Sequence, residues 1–225
     1  MKGLKLQLGN WLNIVLATQC PLCQRSAMRE LCQDCQKQLQ HCQLTHQQGW
    51  QGPLPVFAWG AYGGALKRTI AALKYENQPQ LARPLGHWLG QAWCASDLSS
   101  TTPLLVVPIP MHSDKQRQRG FNQAELLARS FCQVAGLPML AHGLVRSRTT
   151  EAQFHLSRAA REQNLANAFQ VGKDLLHRSR NCSILLLDDI YTTGATATAA
   201  VQALQQRQLS VYGIAAVAKA EKIVT

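Results

Sequence analysis

Acid is what this chain is short of. Its 225 residues carry 12 Asp and Glu against 23 Lys and Arg, a formal net charge of +11. Such an imbalance favours anionic partners, whether a polyphosphate, a nucleic acid or a membrane surface, and composition does not choose among them. Long apolar runs are missing too, and none reaches the length of a membrane span. The first apolar stretch, residues 4–17, is broken by Lys5, Gln7, Asn10 and Asn13 and makes a poor secretory signal. Its Leu4, Leu8, Trp11, Leu12 and Val15 fall on one helical face, which suits a helix packed on the body of the protein. Neither G-x-x-x-x-G-K-[ST] nor G-x-G-x-x-G occurs, which removes the P-loop and dinucleotide-binding readings. Without a convincing export signal, the eight cysteines are expected to be reduced thiols of a cytoplasmic protein. No His or Glu stands out as a general base.

What the chain does have is the stretch from Ile184 to Thr196. Ile184–Leu187 is a short apolar run, the pattern of a buried parallel strand. Asp188 and Asp189 follow, then Thr192, Thr193 and Gly194, then an alanine-rich helix through Leu204. Strand, loop, helix is the arrangement in which α/β proteins bind ligands at the carboxyl end of the sheet. Backbone N–H groups of Thr193, Gly194, Ala195 and Thr196 would lie at a helix N-terminus, where peptide dipoles favour an anion. Gly194 admits close approach, and Thr192, Thr193 and Thr196 add hydroxyl donors. Ionised Asp188 and Asp189 accept from a vicinal diol, each such bond contributing about 1.5–3 kcal/mol. A sugar phosphate fits all of these groups.

Two C-x-x-C pairs, Cys20/Cys23 and Cys32/Cys35, stand eight residues apart and predict one tetrahedral Zn²⁺ site, with a spacer shorter than in many zinc ribbons. A redox pair would sit beside a βαβ pattern, which is not visible there. His41 and Cys42 read as residues of the following helix rather than as ligands. Metal binding would supply the folding energy of so small a module, on the order of 10–16 kcal/mol. Cys42, Cys94, Cys132 and Cys182 have no pairing logic and are expected to be buried. The Gly/Pro stretch from Gly49 to Pro55 reads as a boundary between residues 1–48 and an α/β domain at 53–225.

In that domain Val56–Trp59 reads as a strand and Tyr62–Tyr75 as a helix, with Leu66, Ile70 and Leu73 inward and Lys67, Arg68 and Lys74 outward. A helix at about 80–95 places Trp88 and Trp93 in the core. Leu104–Val107 is a second buried strand, ending in Pro108-Ile109-Pro110. A basic loop follows with Lys115, Arg117 and Arg119, then a helix at about 123–134. The segment from Arg146 to Arg161, with Arg148, reads as a mobile basic flap, and residues 164–171 as strand-like. A last strand, Val211–Lys219, completes a parallel sheet flanked by helices. Guanidinium forks at the carboxyl end of a strand suit pyrophosphate, and the flap suits either that group or the phosphates of a nucleic acid.

The apolar strand, Asp188-Asp189, two residues, then Thr192-Thr193-Gly194 resembles the phosphoribosyl pyrophosphate (PRPP) loop of type I phosphoribosyltransferases. The resemblance implies that fold. It further implies that the acidic pair holds the ribose hydroxyls, that Thr192–Thr196 wraps the 5′-phosphate, and that Mg²⁺ accompanies PRPP. Lys74, Arg117, Arg119, Arg148 and Arg161 become candidates for the pyrophosphate side. More of the chain is similar to the ComF family of competence and DNA-utilisation proteins, the group that includes GntX. The Cys₄ module, Leu66-Lys67, Val107-Pro108-Ile109-Pro110, Arg119-Gly120-Phe121-Asn122-Gln123, Arg146-x-Arg148-Thr149 with Gln153, Arg161 and Asn164 fall in that family's order over residues 20–219. That likeness implies a cytoplasmic bacterial protein tied to uptake or use of external DNA, with single-stranded DNA and a helicase-like protein as partners. Two classes stay open: a PRPP-dependent glycosyltransferase acting on an unidentified nucleobase, and a non-catalytic single-stranded-DNA-binding or PRPP-sensing factor that keeps the transferase fold.

Overall fold

A computed structural model of the chain describes residues 18–45, 54–98, 102–146, 168–176 and 182–220. The expected helix at 4–17 and the Arg148 and Arg161 part of the flap lie outside those residues. Four apolar runs pair side by side: β3 (Val56–Ala61), β4 (Leu104–Pro108), β7 (Ser183–Tyr191) and β8 (Val211–Lys219). All pairings are parallel, in the order β3-β8-β7-β4. The last strand therefore fills the interior of the sheet, with Ala61, Lys219 and Tyr191 level at its carboxyl edge.

Strand side chains alternate between two apolar layers, as the period of a pleated strand requires. Phe57, Trp59, Val106, Leu185, Leu187 and Val217 join one buried cluster with α3 (Ala82–Cys94) and α5 (Gln123–Ala135), which cover that face. Val56, Leu105, Val107, Ile184, Leu186 and Ile214 join the other, with α7 (Ala195–Gln205) and the β5–β6 hairpin (Leu144–Arg146, Phe169–Val171). Near-continuous apolar runs are what a strand covered on both faces needs. α3 and α5 approach closely: a Cβ added at Gly90 would lie 2.8 Å from Val134 Cβ. Trp93 is buried against Phe57 and Phe131, and Trp88 stacks on Trp59, so both tryptophans serve the core as expected.

The cysteine module consists of β1 (Thr18–Gln19), β2 (Ser26–Ala27) and α1 (Gln33–Gln40). It leans on the sheet. Ala61 N donates to Cys42 O at 2.9 Å and Leu44 N to Trp59 O at 2.9 Å, so the chain after α1 runs along β3. Leu31 and Leu39 belong to the same apolar cluster as Phe57 and Trp59.

Two expectations are corrected. The basic stretch after β4 is not a loop: Ser113–Arg119 forms the short helix α4. His112 Nδ1 accepts from Asp114 N at 3.2 Å at its start, and Gly120, at φ +86°, closes its end. No residue of α4 is buried, so no apolar period announces it. Of the four cysteines expected in the core only Cys132 is buried, while Cys94 is exposed and Cys42 and Cys182 are half-buried.

Candidate functional site

β7 runs unbroken through the acidic pair to Tyr191, and the turn Thr192–Gly194 leads into α7. Gly194 is the N-cap of α7 at φ +80°, a conformation that L side chains rarely adopt. A Cβ there would also lie 2.5 Å from the Tyr191 hydroxyl. No side chain of the N-cap occupies the helix start, Thr193 Oγ1 reaches Ala195 N at 3.4 Å, and Thr192 and Thr193 are exposed. An open helix N-terminus with hydroxyls beside it thus stands at the carboxyl edge of the sheet, the geometry that receives an anion.

Successive strand residues point to opposite faces, and the acidic pair obeys that rule. Asp189 shares parity with Leu185 and Leu187 and turns toward the helical face, where its Oδ2 meets Lys74 Nζ in an ion pair. Asp188 shares parity with Ile184 and Leu186 and turns toward the β5 side, within the field of Arg146. Its Oδ1 accepts from Asp189 N at 2.8 Å. Burial pushes the Asp188 carboxyl well above its ordinary 3.8, and the neighbouring Asp189 charge pushes it further, against a smaller pull from Lys74. Arg146, half-buried with Cζ 5.4 Å from the Phe169 ring centre, has its pKa lowered by that burial, opposed by the charge of Asp188.

Lys74 is a further correction, since the helical pattern placed it outward. α2 (Gly64–Tyr75) begins just past the carboxyl end of β3, and Lys74 lies ten residues on, about 15 Å along the axis. β3 and β7 are two strand spacings apart, roughly 9.6 Å. The ion pair between Lys74 and Asp189 therefore brings the last turn of α2 within a lysine's reach of the carboxyl end of β7. The side chains of Lys74 and Asp189 are only 17 % and 5 % exposed. A buried carboxylate is costly unless paired, and Lys74 supplies the pairing.

The Arg119–Gln123 segment is tied to the same edge. Ile109 N donates to Leu187 O at 2.8 Å, and Asn122 Nδ2 to Ile109 O at 3.3 Å. Asn122 Oδ1 caps α5 by accepting from Ala124 N at 3.1 Å. Arg119, held by Gln123 Oε1, lays its guanidinium 5.5 Å from the ring centre of Tyr75, the residue after Lys74. Arg117 instead pairs with Asp114 on its own helix and stays 76 % exposed. The structure thus gathers Asp188, Asp189, Thr192, Thr193, Gly194, Ala195 and Thr196 with Lys74, and brings Arg119 beside them through Tyr75. Sequence reasoning missed the place of Arg146 and of Tyr75.

The cysteines lie beside α2. The sulfurs of Cys20, Cys23, Cys32 and Cys35 all lie within 4.8 Å of one another, with Cys23 and Cys32 at 3.5 Å. Disulfide sulfurs would be about 2.05 Å apart, whereas four thiolates on one tetrahedral ion at a bond length of about 2.3 Å stand roughly 3.8 Å apart. The four residues can hold a metal ion. Hydrogen bonds from Arg25, chiefly its side chain's to Cys23 Sγ at 3.4 Å, pull that thiol down to about 6, while burial pushes the Cys35 thiol up. A cavity of about 330 Å³, lined by Cys23, Cys35, Arg25, Arg68, Thr69 and Glu76 among others, separates this cluster from α2. It does not include the acidic pair.

No protein-family model matches the chain. Among curated proteins it is 30 % identical over 217 residues to competence protein F of Haemophilus influenzae, covering 84 % of this chain and 91 % of that one. It is 28 % identical over 192 residues to the DNA utilization protein YhgH of Salmonella typhi, covering 82 % and 83 %. Among solved structures it is similar to an adenine phosphoribosyl transferase from Trypanosoma brucei, with a TM-score of 0.40, 10 % identity, and 85 % and 81 % coverage. That last likeness is distant and carries no argument. By its similarity to competence protein F over most of both chains, the protein belongs to the ComF family of competence and DNA-utilization proteins.

Proposed function

We propose that the chain binds PRPP at the carboxyl end of β7, as a phosphoribosyltransferase-like protein associated with the use of external DNA. The observation that carries the reading is Asp188 and Asp189 at the end of β7, five residues before a helix whose N-terminus is opened by left-handed Gly194. In this reading the N–H groups and hydroxyls of Thr192–Thr196 take the 5′-phosphate, and the two carboxylates take the ribose hydroxyls. Lys74 pairs with Asp189 and holds it in place. Mg²⁺ bound with PRPP would supply positive charge toward its pyrophosphate. Arg119 faces the leaving pyrophosphate, with Arg117, Arg148 and Arg161 as further candidates for that group. If a base then displaces pyrophosphate, this chain contributes positioning and electrostatic stabilisation rather than a proton shuttle. The metal we assign to the four cysteines is Zn²⁺, held as a structural ion, for an all-thiolate tetrahedral set suits it.

Calorimetric titration with PRPP and Mg²⁺ tests the binding claim. The Asp188→Asn/Asp189→Asn variant removes two charged acceptors worth about 1.5–3 kcal/mol each, so its affinity should fall at least a hundredfold. Unchanged affinity would remove both acids from the site. A pyrophosphate-release screen of PRPP against purine and pyrimidine bases then decides whether the chain is an enzyme.

A second reading, a non-catalytic factor that binds single-stranded DNA or senses PRPP, is supported by the net charge of +11 and by the names of the relatives. It requires DNA affinity that falls steeply with salt, because phosphate neutralisation releases counterions.

A further inference from the structure

Tyr75 ends α2 and is 77 % exposed, among the most open of the large apolar side chains in the described residues. Isolated exposed aromatics are common and need no explanation. This one differs in where it stands and in what lies against it. Its neighbour Lys74 is fixed on Asp189, so the ring is pinned at the mouth of the site rather than at a free helix end. The Arg119 guanidinium lies 5.5 Å from its ring centre, within the distance at which a cation is drawn to an aromatic face. Arg119 is itself half-buried and held by Gln123, a buried residue of α5. A ring backed by a positioned cation, with its surface otherwise open, has the form of half a stacking sandwich. It also lies in a strongly cationic chain, beside residues read as taking a sugar phosphate.

We infer that the Tyr75–Arg119 pair is a stacking platform for a nucleobase, the base lying flat on the open surface of the ring while the phosphates of PRPP or of a nucleic-acid strand meet the basic residues alongside. The inference rests on the proposed sugar-phosphate site and adds to it the place of the base. Stacking on an aromatic ring tolerates any base, because every base has a π-face. That tolerance suits a chain whose sequence names no base. One chemistry has two sources, a free acceptor base and a base within single-stranded DNA, and both are tested.

The full-length protein is titrated with a fluorescein-labelled oligo(dT) by anisotropy at fixed salt. In parallel, free adenine and free uracil are titrated by calorimetry in the presence of PRPP and Mg²⁺. Tyr75→Leu should weaken at least one of the two probe classes roughly 5- to 100-fold, the range seen for loss of one base–aromatic stack. Tyr75→Phe, which keeps the ring, should bind within about twofold of the wild type. Loss confined to the free bases makes the platform an acceptor subsite, and loss confined to the oligonucleotide makes it a strand contact. Both outcomes support the inference. Equal affinity of wild type and Tyr75→Leu for all probes overturns it, as does failure of the wild type to bind any of them. Asp188→Asn, which leaves the Lys74–Asp189 pair intact, should weaken PRPP binding yet keep its oligonucleotide affinity if the platform binds a strand. Failure of the platform and failure of the sugar-phosphate reading are thereby told apart.

Discussion

Replacing Lys74 by Met removes the partner of Asp189 and leaves the helix hydrophobic at that position. Lys74 and Asp189 are 17 % and 5 % exposed at the side chain, so little solvent screens the stranded charge. Breaking a buried pair on one side costs about 3–5 kcal/mol, and the partial exposure of Lys74 places this case near the lower end, at about 3 kcal/mol. In a chain of this size that corresponds to a fall in Tm of roughly 6–12 °C. Urea denaturation of the metal-loaded protein, followed by tryptophan fluorescence, gives the difference directly, with Trp59 and Trp93 as buried reporters. The double variant Lys74→Met/Asp189→Asn should recover about 2 kcal/mol of the loss, because no uncompensated charge remains. A Lys74→Met protein within about 0.5 kcal/mol of wild type, or single effects that simply add in the cycle, would refute the buried-pair argument.

Three shorter tests follow. Asp188 has a folded pKa raised above its ordinary 3.8, so the folded state holds that proton more tightly than the unfolded chain does. Its contribution is then lost as pH rises from about the unfolded value through the folded one. Asp188→Asn should accordingly raise Tm at neutral pH, with the gain shrinking toward pH 4, and a gain independent of pH would contradict the shift. Metal analysis of the purified protein should find about one zinc per chain, and stripping it should unfold the cysteine module, read as lost protection of residues 18–45 in hydrogen exchange. A metal-free protein with that protection intact would reject the assignment. Gly194→Ala should cost about 1–2 kcal/mol from its left-handed backbone alone, measured by the same urea titration, and should weaken PRPP binding with it. Wild-type stability would mean the turn relaxes.

Local pattern carried the reading a long way for particular reasons. Ile184–Leu187 announces a strand covered on both faces because it is apolar without alternation, and the two C-x-x-C pairs announce a metal cluster because few other arrangements use that spacing. The position of β8 between β3 and β7 was not legible, since strand order is a property of crossovers and leaves no mark on the strand itself. α4 was missed because none of its side chains is buried. Lys74 was turned the wrong way because the pattern of Leu66, Ile70 and Leu73 fixes a face of the helix but not its path over the sheet. Only the approach of the last turn of α2 to the end of β7 makes an apparently solvated lysine the partner of a buried acid. The opposite facing of Asp188 and Asp189 follows from strand period alone, but their partners, Arg146 and Lys74, come from segments 42 and 115 residues away.

The most direct test of the central claim is a crystal structure of the protein with PRPP and Mg²⁺ at saturating concentration. The 5′-phosphate should sit on the backbone N–H groups of Thr193–Thr196, with the ribose hydroxyls on Asp188 and Asp189 and Lys74 still within reach of the pair. Sugar phosphate bound elsewhere on the chain, or none bound at all, would contradict the account.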